Sequence, residues 1–343
     1  MSVACEPRVL RVRPLVSPRW SWCTEGLRWH HLGDLRRGRL VLTAGFGAVG
    51  VALGALAVRH FAETSWPLTS GAPALLVAVG VLFVCASALK AYGWQRLFAA
   101  GERPRPLALA AANGGASVLG VALPGRFDDV VRVALVRRYP GCPVGVRGLC
   151  LSLVMLGLID SVALAPLAFA ALAFPGLTVG LRAGLALVGA AGVAAAGLII
   201  VFPRLAASRR VLRFRLGRWL CPRTTSLRAA LQAWALVTAC WLVRAVALCL
   251  LLGALGLGYS FTLALLFLCA GAAAAALPIG PAAAATQAGA GAAVLIASGV
   301  GASQALSVTV ASQALGVLAS GSILVFATLW RGSRRLMLAR ATA

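Results

Sequence analysis

Six long apolar segments constrain the fold of this chain more than any other feature of its sequence. They occupy residues 40–58, 73–92, 149–173, 179–202, 229–256 and 303–330. About 20 consecutive apolar residues are enough for an α-helix to cross the hydrocarbon core of a bilayer. The chain is 61% hydrophobic and its mean hydropathy is +0.92, far above the level of a soluble domain. The sequence therefore predicts an all-α polytopic integral membrane protein with about six full transmembrane helices.

The distribution of arginine predicts which loops face the cytoplasm. The formal net charge is +24, from 32 Lys and Arg residues against 8 Asp and Glu residues. Most of the arginines lie in the hydrophilic segments 1–39, 93–106, 126–147, 203–228 and 331–343. Such loops mark the cytoplasmic side of a membrane protein and contact anionic phospholipid headgroups. We therefore expect a multi-pass protein of the cell membrane with both termini in the cytoplasm and no nucleic-acid partner.

The same pattern divides the chain into three regions. Residues 1–39 are predicted to be an Arg-rich cytoplasmic segment, partly disordered because Pro7, Pro14 and Pro18 interrupt it. This segment has no apolar centre of the kind found in a signal peptide. Residues 40–330 are predicted to form the transmembrane domain, and residues 331–343 a basic cytoplasmic tail.

Two further apolar segments are interrupted in corresponding places. Residues 107–123 contain Asn113-Gly114-Gly115 and run into Pro124-Gly125, after which a charged amphipathic helix begins. About 155 residues later, residues 260–276 run into Leu277-Pro-Ile-Gly-Pro281, and an Ala/Gly-rich helix follows. Broken helices in corresponding places indicate the binding site in many membrane transporters. These two breaks are therefore the first candidates for a functional site.

The charges that flank the two broken segments predict that both are re-entrant. Residues 107–123 lie between two basic loops, so this segment must enter and leave on the cytoplasmic side. Residues 260–298 have uncharged flanks and fit a hairpin that enters from outside. Each broken segment then belongs with three full spans, and because three is odd, the second unit is inverted relative to the first. The alternative interpretation is eight ordinary helices with proline kinks.

Asp160 and Arg244 are predicted to lie near the centre of the third and fifth full spans. A single charge at that depth costs at least about 2.5–3.5 kcal/mol. Both spans run in the same direction, and the two residues lie at similar depth. We therefore predict that Asp160 and Arg244 form an intramembrane charge pair or share a water-filled cavity. A purely structural ion pair is the alternative.

The residues of the two breaks are the candidate substrate-binding residues. Arg126 and Arg132 have the planar guanidinium that matches a lipid phosphate, and the neighbouring acids can keep them oriented. In the competing interpretation, Asp128 and Asp129 neutralise Arg132 at helical spacing and favour a helix start. The residue types leave both interpretations open. The full set is Pro124, Gly125, Arg126, Asp129 and Arg132 in the first break and Pro278, Pro281 and Gln287 in the second.

No residue pattern predicts a metal, a cofactor or a catalytic centre. His30, His31 and His60 lie outside the predicted spans, and the nine cysteines show no Cys-x-x-Cys spacing. A lipid-linked glycosyltransferase would need clustered acids, but those outside the first break are scattered and form no Asp-x-Asp. We therefore expect no disulfide, no metal, no cofactor and no enzymatic activity.

The segment from Leu123 to Arg132, Leu-Pro-Gly-Arg-Phe-Asp-Asp-Val-Val-Arg, resembles the first motif of the lysylphosphatidylglycerol synthase membrane-region family, a flippase-like domain. That motif has Leu-Pro-Gly-Arg, a hydrophobic residue, Gly-Glu and then a helix with Arg. The segment from Leu277 to Gln287 is similar to the family's second motif, a Pro-rich turn with glycines and then Glu. The resemblance covers about residues 40–330, the membrane part alone. It implies lipid movement without the aminoacyl-transfer step.

Two departures from the family motifs affect the expected function. Asp128 and Asp129 stand at the Gly-Glu positions, so a carboxylate is kept and the glycine is lost. Gln287 stands where the second motif has Glu, so a carboxylate is missing there. The resemblance implies movement of a phospholipid, an aminoacyl lipid or a lipid-linked glycan between leaflets. The alternative is a membrane scaffold that does not transport and that binds an enzyme of envelope-lipid synthesis.

Overall fold

The computed structural model describes residues 71–120, 127–139, 144–175, 177–206, 208, 213, 226–276 and 283–341. These residues form nine α-helices and one short 3-10 helix, Ala100–Glu102, and contain no β-strand. The N-terminal segment 1–39 and the predicted first span, 40–58, lie outside the described residues. The helices are α1 (Pro73–Arg96), α2 (Pro106–Gly120), α3 (Phe127–Arg138), α4 (Val146–Leu172), α5 (Val179–Ala206), α6 (Leu227–Ala254), α7 (Phe261–Ala276), α8 (Ala283–Ala297) and α9 (Ala302–Ala341).

Five of these helices are long and apolar enough to cross a membrane, namely α1, α4, α5, α6 and α9. The other four are shorter: α7 has 16 residues, α2 and α8 have 15 each, and α3 has 12. At 1.5 Å per residue, a helix of that length falls short of a hydrocarbon core about 30 Å thick. The structure thus confirms the all-α polytopic class and matches the division into full spans and broken segments.

Local sequence signals determine where several helices start and stop. Pro73 begins α1, where its missing N–H and fixed φ are compatible with a first helical turn. The hydroxyl of Ser226 accepts a hydrogen bond from the Ala229 amide at 3.3 Å and caps α6. At their C-terminal ends, α6 and α8 are followed by Gly256 and Gly299, whose φ angles are +78° and +89°. Glycine is the residue that adopts this left-handed conformation without strain.

The two central helices, α1 and α6, pack closely and run antiparallel. A Cβ atom added to Gly93 of α1 would lie 2.9 Å from a methyl group of Val237 and 3.4 Å from the carbonyl oxygen of Ala233. Nearer the middle of the same pair, Lys90 lies against Trp241. As the residue number rises along α1 it falls along α6, which defines the antiparallel direction. Glycine at position 93 therefore allows the close approach.

The long helices α4 and α5 extend this antiparallel arrangement. Lys90 and Trp94 of α1 contact Asp160 and Ser152 of α4, so α4 runs antiparallel to α1 and parallel to α6. A Cβ on Gly192 of α5 would lie 2.5 Å from the Ser161 carbonyl oxygen of α4. Earlier in α5, Gly189 lies against Phe169, so α5 runs antiparallel to α4.

The short helices form two pairs, which we call the first hairpin (α2 and α3) and the second hairpin (α7 and α8). In the first, Gly115 packs directly against Leu135; in the second, Gly291 packs against Phe267. The first hairpin follows the C-terminal end of α1 and the second follows that of α6. Because α1 and α6 are antiparallel, the two hairpins begin at opposite faces of the helix bundle. This matches the re-entrant topology predicted from the arginine distribution.

Each of the two hairpins contributes to one of two apolar cores. The first core combines α2 with the C-terminal half of α1 and the N-terminal halves of α4 and α6. The second combines α7, α8 and α9 with the C-terminal halves of α4 and α6. Trp241, near the middle of α6, packs against both cores. The polar residues of α4 and α6 described next lie where the two cores meet.

Candidate functional site

The first hairpin places three charged residues together at the start of α3. Arg132 forms an ion pair with Asp128 at 3.0 Å and a second one with Asp129. These are the spacings of three and four residues that bring side chains together on a helix surface. Both acids also lie in the first turn of α3, where a negative charge interacts favourably with the helix dipole. Arg132 is therefore held by two carboxylates, and its Nε atom is buried without a hydrogen-bond partner.

The other end of α3 is tied to α9. The guanidinium of Arg331 lies 4.2 Å from the ring centre of Tyr139 and donates a hydrogen bond to the Arg138 carbonyl oxygen at 3.3 Å. Burial raises the pKa of the Tyr139 phenol above its usual value, while the positive charge of Arg331 acts in the opposite direction. This contact fixes the first hairpin to the long last helix.

The second hairpin carries no charge among its described residues. Gln287 is half-buried on α8, and its backbone carbonyl oxygen lies close to Gly271 of α7. Five of the predicted site residues lie outside the described residues: Pro124, Gly125, Arg126, Pro278 and Pro281. Of the predicted residues in the two breaks, the structure thus places Asp129, Arg132 and Gln287.

Asp160 of α4 forms its ion pair with Lys90 of α1, whose Nζ atom lies 2.8 Å from Oδ2. Its other carboxylate oxygen accepts a hydrogen bond from Trp241 Nε1 at 3.1 Å. Both charged side chains are largely buried, with exposed fractions of 18% for Lys90 and 20% for Asp160. The cation and the hydrogen-bond donor both offset the cost of burying the carboxylate.

Arg244 lies beside this group but not in ion-pair contact with Asp160. Its guanidinium carbon is 5.3 Å from the ring centre of Trp241, and Lys90 Nζ is 5.7 Å from the same centre. The Arg244 Nε atom is buried and has no hydrogen-bond partner. The structure therefore brings Asp160 and Arg244 to the same indole ring, while Lys90 takes the place at Asp160 that the sequence analysis gave to Arg244. We call Lys90, Asp160, Trp241 and Arg244 the intramembrane cluster.

Sequence reasoning missed Lys90 because the residue lies close to the charged end of its span. A lysine six residues before Arg96 can extend towards the interface, so its position alone does not indicate an internal partner. A signal was nevertheless present. Lys90 is the single lysine of the chain, and Asp160 is the single acid within a predicted full span. Pairing these two unusual residues would have found the contact.

Asn113 is a further buried polar residue, located on α2 of the first hairpin. Its side chain is 9% exposed, and neither its amide oxygen nor its amide nitrogen has a hydrogen-bond partner. The adjacent Gly114 packs against the backbone of α9, where an added Cβ would lie 2.6 Å from the Ser320 carbonyl oxygen. Native proteins rarely leave a buried amide unsatisfied, so this side chain is suited to bind a polar ligand group or water.

An apolar groove of about 360 Å³ runs between α1 and α9. It is lined by Val77, Gly80, Val81, Val84, Cys85, Leu315, Leu318, Ala319 and Ser322. Within the part of the chain that the structure describes, no three His, Cys, Asp or Glu side chains converge as they would around a metal ion. Among the described residues, the polar features that combine burial with a charge or with an unsatisfied amide include the intramembrane cluster, the charged start of α3 and Asn113.

The family model for the lysylphosphatidylglycerol synthase TM region matches residues 38–321. The chain belongs to this family. The membrane-region family corresponds to the non-catalytic part of the synthase. The match spans both hairpins and the intramembrane cluster, so these features lie within the family domain. No curated protein and no solved structure matches the chain.

Proposed function

We propose that this member of the lysylphosphatidylglycerol synthase membrane-region family moves a lipid between the two leaflets of the cell membrane. Membership in the family supports a lipid-related role for a multi-pass membrane protein. The observation that carries the proposal is the arrangement of the two hairpins. They start at opposite faces, each belongs to one of two apolar cores, and Trp241 of the intramembrane cluster packs against both cores. Broken helices from opposite faces that meet near the centre are a recurring plan of transporters.

In this mechanism the intramembrane site is exposed first to one face and then to the other. The two halves move relative to each other, and the intramembrane cluster shields the polar headgroup from the hydrocarbon. The first hairpin opens towards the face that carries the arginine-rich loops, which attracts anionic headgroups. The substrate class comprises phospholipids, aminoacyl lipids and lipid-linked glycans. Both termini are assigned to the cytoplasm in this arrangement.

The test is a leaflet-exchange assay with the purified protein in liposomes. A fluorescent phospholipid is placed in both leaflets, and a membrane-impermeant reductant quenches the outer leaflet. With an active protein we expect quenching to proceed beyond the outer half of the signal. Arg132→Ala, which frees Asp128 and Asp129, is expected to abolish this excess quenching, whereas Arg137→Ala on the exposed face of α3 should leave it unchanged. Normal exchange by folded Arg132→Ala protein would exclude Arg132 from the mechanism.

A second candidate function is a membrane scaffold for an enzyme of envelope-lipid synthesis. The observation that favours it is the second hairpin, where a neutral amide, Gln287, stands at the position of the family's carboxylate. A hairpin without charged side chains can form no ion pair with a polar headgroup. Purification of a stoichiometric enzyme partner, together with no leaflet exchange by the wild-type protein, would select the scaffold.

A further inference from the structure

α1 and α6 occupy equivalent places in the two halves of the molecule. Each is followed by a hairpin of short helices and then by a long helix, and corresponding helices start about 155 residues apart. The burial pattern repeats as well. Every buried residue of α1 has a buried residue at the same position of α6: Val79 and Ala233, Ala86 and Cys240, Ala91 and Ala245, Gly93 and Ala247, and Trp94 and Leu248.

Lys90 and Arg244 are equivalent residues in this repeat. Each is the eighteenth residue of its helix, counted from Pro73 in α1 and from Leu227 in α6. Their charged groups lie at nearly equal distances, 5.7 Å and 5.3 Å, from the centre of the Trp241 ring. The two cations of the intramembrane cluster are thus a symmetric pair that shares one aromatic ring.

The counter-ion of Lys90 has no equivalent at the symmetric position near Arg244. Asp160, which pairs with Lys90, is the fifteenth residue of α4. The fifteenth residue of the corresponding helix, α9, is Gly316. A Cβ atom at Gly316 would meet no atom within 4 Å, so space is open where the second carboxylate would begin. Among the described residues Arg244 therefore lacks the ion-pair partner that its equivalent has.

Within the part of the chain that the structure describes, this asymmetry leaves the positive charge of Arg244 without an ion-pair partner. An unpaired charge at that depth costs at least about 2.5–3.5 kcal/mol, and contact with an aromatic ring offsets only part of it. The planar fork of arginine is suited to bind two oxygens of one phosphate group. An anion bound at Arg244 would supply the missing charge and use the guanidinium in the geometry it prefers.

We propose that Arg244, beside Trp241, binds the phosphate of an anionic lipid headgroup between α6 and α9. This assignment names the substrate class of the transport proposed above and rests on that function for the entry of the lipid. The apolar groove between α1 and α9 is suited to the acyl chains of the same lipid. Its lining includes Leu315, the neighbour of Gly316, and Val84, which the antiparallel register places level with Arg244.

The binding test uses the purified full-length protein and native mass spectrometry. The protein is titrated with phosphatidylglycerol, which is anionic, and separately with phosphatidylcholine, which has no net charge. We expect preferential binding of phosphatidylglycerol, weakened about tenfold or more by Arg244→Gln and less by Arg244→Lys, which keeps the charge but not the fork. Arg182→Gln, the same change at an exposed residue of α5, should have no effect. Equal binding by wild type and Arg244→Gln would overturn the proposal.

A second variant tests the same site without removing the arginine. Gly316→Asp places a carboxylate at the position equivalent to Asp160, in open space. We expect this acid to pair with Arg244, to leave the protein folded and to reduce phosphatidylglycerol binding as strongly as Arg244→Gln. Gly316→Asn, of the same size but neutral, is expected to bind the lipid as the wild type does. Undiminished lipid binding by folded Gly316→Asp protein would contradict the site.

Two further outcomes separate this site from the proposed function and from a free anion. If Arg244 is required for lipid binding but the wild-type protein exchanges no lipid, transport fails and the binding site stands. If lipid is exchanged equally by wild type and Arg244→Gln, transport stands and the site fails. Inorganic phosphate is titrated in parallel. Arg244-dependent binding of inorganic phosphate alone, without lipid binding, would overturn the assignment to a lipid.

Discussion

At the scale of single residues, the sequence identified one partner of the ion pair between Lys90 and Asp160. It indicated that Asp160 is buried in a span but did not identify Lys90 as its counter-ion. Hydropathy identifies Asp160 and Arg244 as charges inside spans, since their costs at that depth are high. It does not give the lateral register between helices, which depends on close contacts such as the one between Gly93 and Val237. The sequence analysis therefore did not pair Lys90 with Asp160, whereas the register of α1 brings its Nζ atom to 2.8 Å from Asp160.

Removal of one partner of this ion pair should destabilise the protein strongly. Asp160→Asn leaves Lys90 charged and largely buried without a counter-ion. We expect the free energy of unfolding to fall by about 3 kcal/mol. The measurement is thermal unfolding of the detergent-solubilised protein. The double variant Lys90→Met with Asp160→Leu removes both charges and is expected to recover most of the loss; equal instability of the single and double variants would argue against the pair.

Asn113 allows stability and function to be separated at one position. Asn113→Leu replaces an unsatisfied buried amide by an apolar group of similar size. Because the amide makes no hydrogen bond within the protein, we expect the variant to unfold about 1–3 kcal/mol less readily than the wild type. If the amide binds a headgroup during transport, leaflet exchange falls at the same time. A loss of stability on this substitution would show that the amide has a partner within the protein.

At the scale of helices, the sequence predicted the existence of each described element better than its ends. The predicted span 73–92 extends to Arg96 in α1, and the predicted span 303–330 is part of a helix that runs from Ala302 to Ala341. A span predicted from hydropathy ends where charged side chains begin, but the backbone hydrogen bonds of the helix continue past that point. The Pro-Gly and Leu-Pro-Ile-Gly-Pro breaks were recognised because proline and glycine interrupt a helix through the backbone itself.

The packing of the first hairpin against α9 depends on a small residue. In Gly114→Ala the added methyl group would overlap the Ser320 carbonyl oxygen, a backbone atom that cannot rotate away. We expect α2 to shift, with a loss of stability and of leaflet exchange. Gly289→Ala on α8 is the matched control, because an added Cβ there meets no atom within 4 Å. The control should be neutral or more stable by up to about 1 kcal/mol, since alanine favours helix. Equal behaviour of the two variants in thermal unfolding would contradict the close contact.

At the scale of the whole molecule, the inverted arrangement followed from counting spans and arginines. The rule that basic loops stay in the cytoplasm requires no knowledge of packing, so it could be applied to the sequence directly. The sequence did not show that α1 and α6 form the central pair, because helices of equal hydropathy give no indication of their neighbours. It also did not show that the two cations are equivalent, since this required the observed starts of the helices.

The topology predicts opposite accessibility for the loops that precede the two hairpins. A single cysteine at Gly101, between α1 and α2, and one at Tyr259, between α6 and α7, are compared in a background without other cysteines. A membrane-impermeant maleimide is expected to label Tyr259→Cys from outside only and Gly101→Cys from the cytoplasmic side only. A cysteine replacing Gly299, which follows α8, should match Tyr259→Cys. Labelling of Gly101→Cys and Tyr259→Cys from the same side would exclude hairpins that enter from opposite faces.

The equivalence of α1 and α6 also bears on the energy balance between the two orientations of a transporter. If the two inverted halves of a transporter were identical, the inward-open and outward-open conformations would be related by symmetry and would have equal free energy. The two halves of this molecule differ in sequence, and Asp160, whose equivalent in α9 is Gly316, is one of the differences. Each 1.4 kcal/mol by which the Lys90–Asp160 pair favours one conformation changes their ratio tenfold. In the transport cycle proposed above, this ion pair is therefore one contribution to the preferred orientation, and Asp160→Asn is expected to change the ratio of inward to outward states.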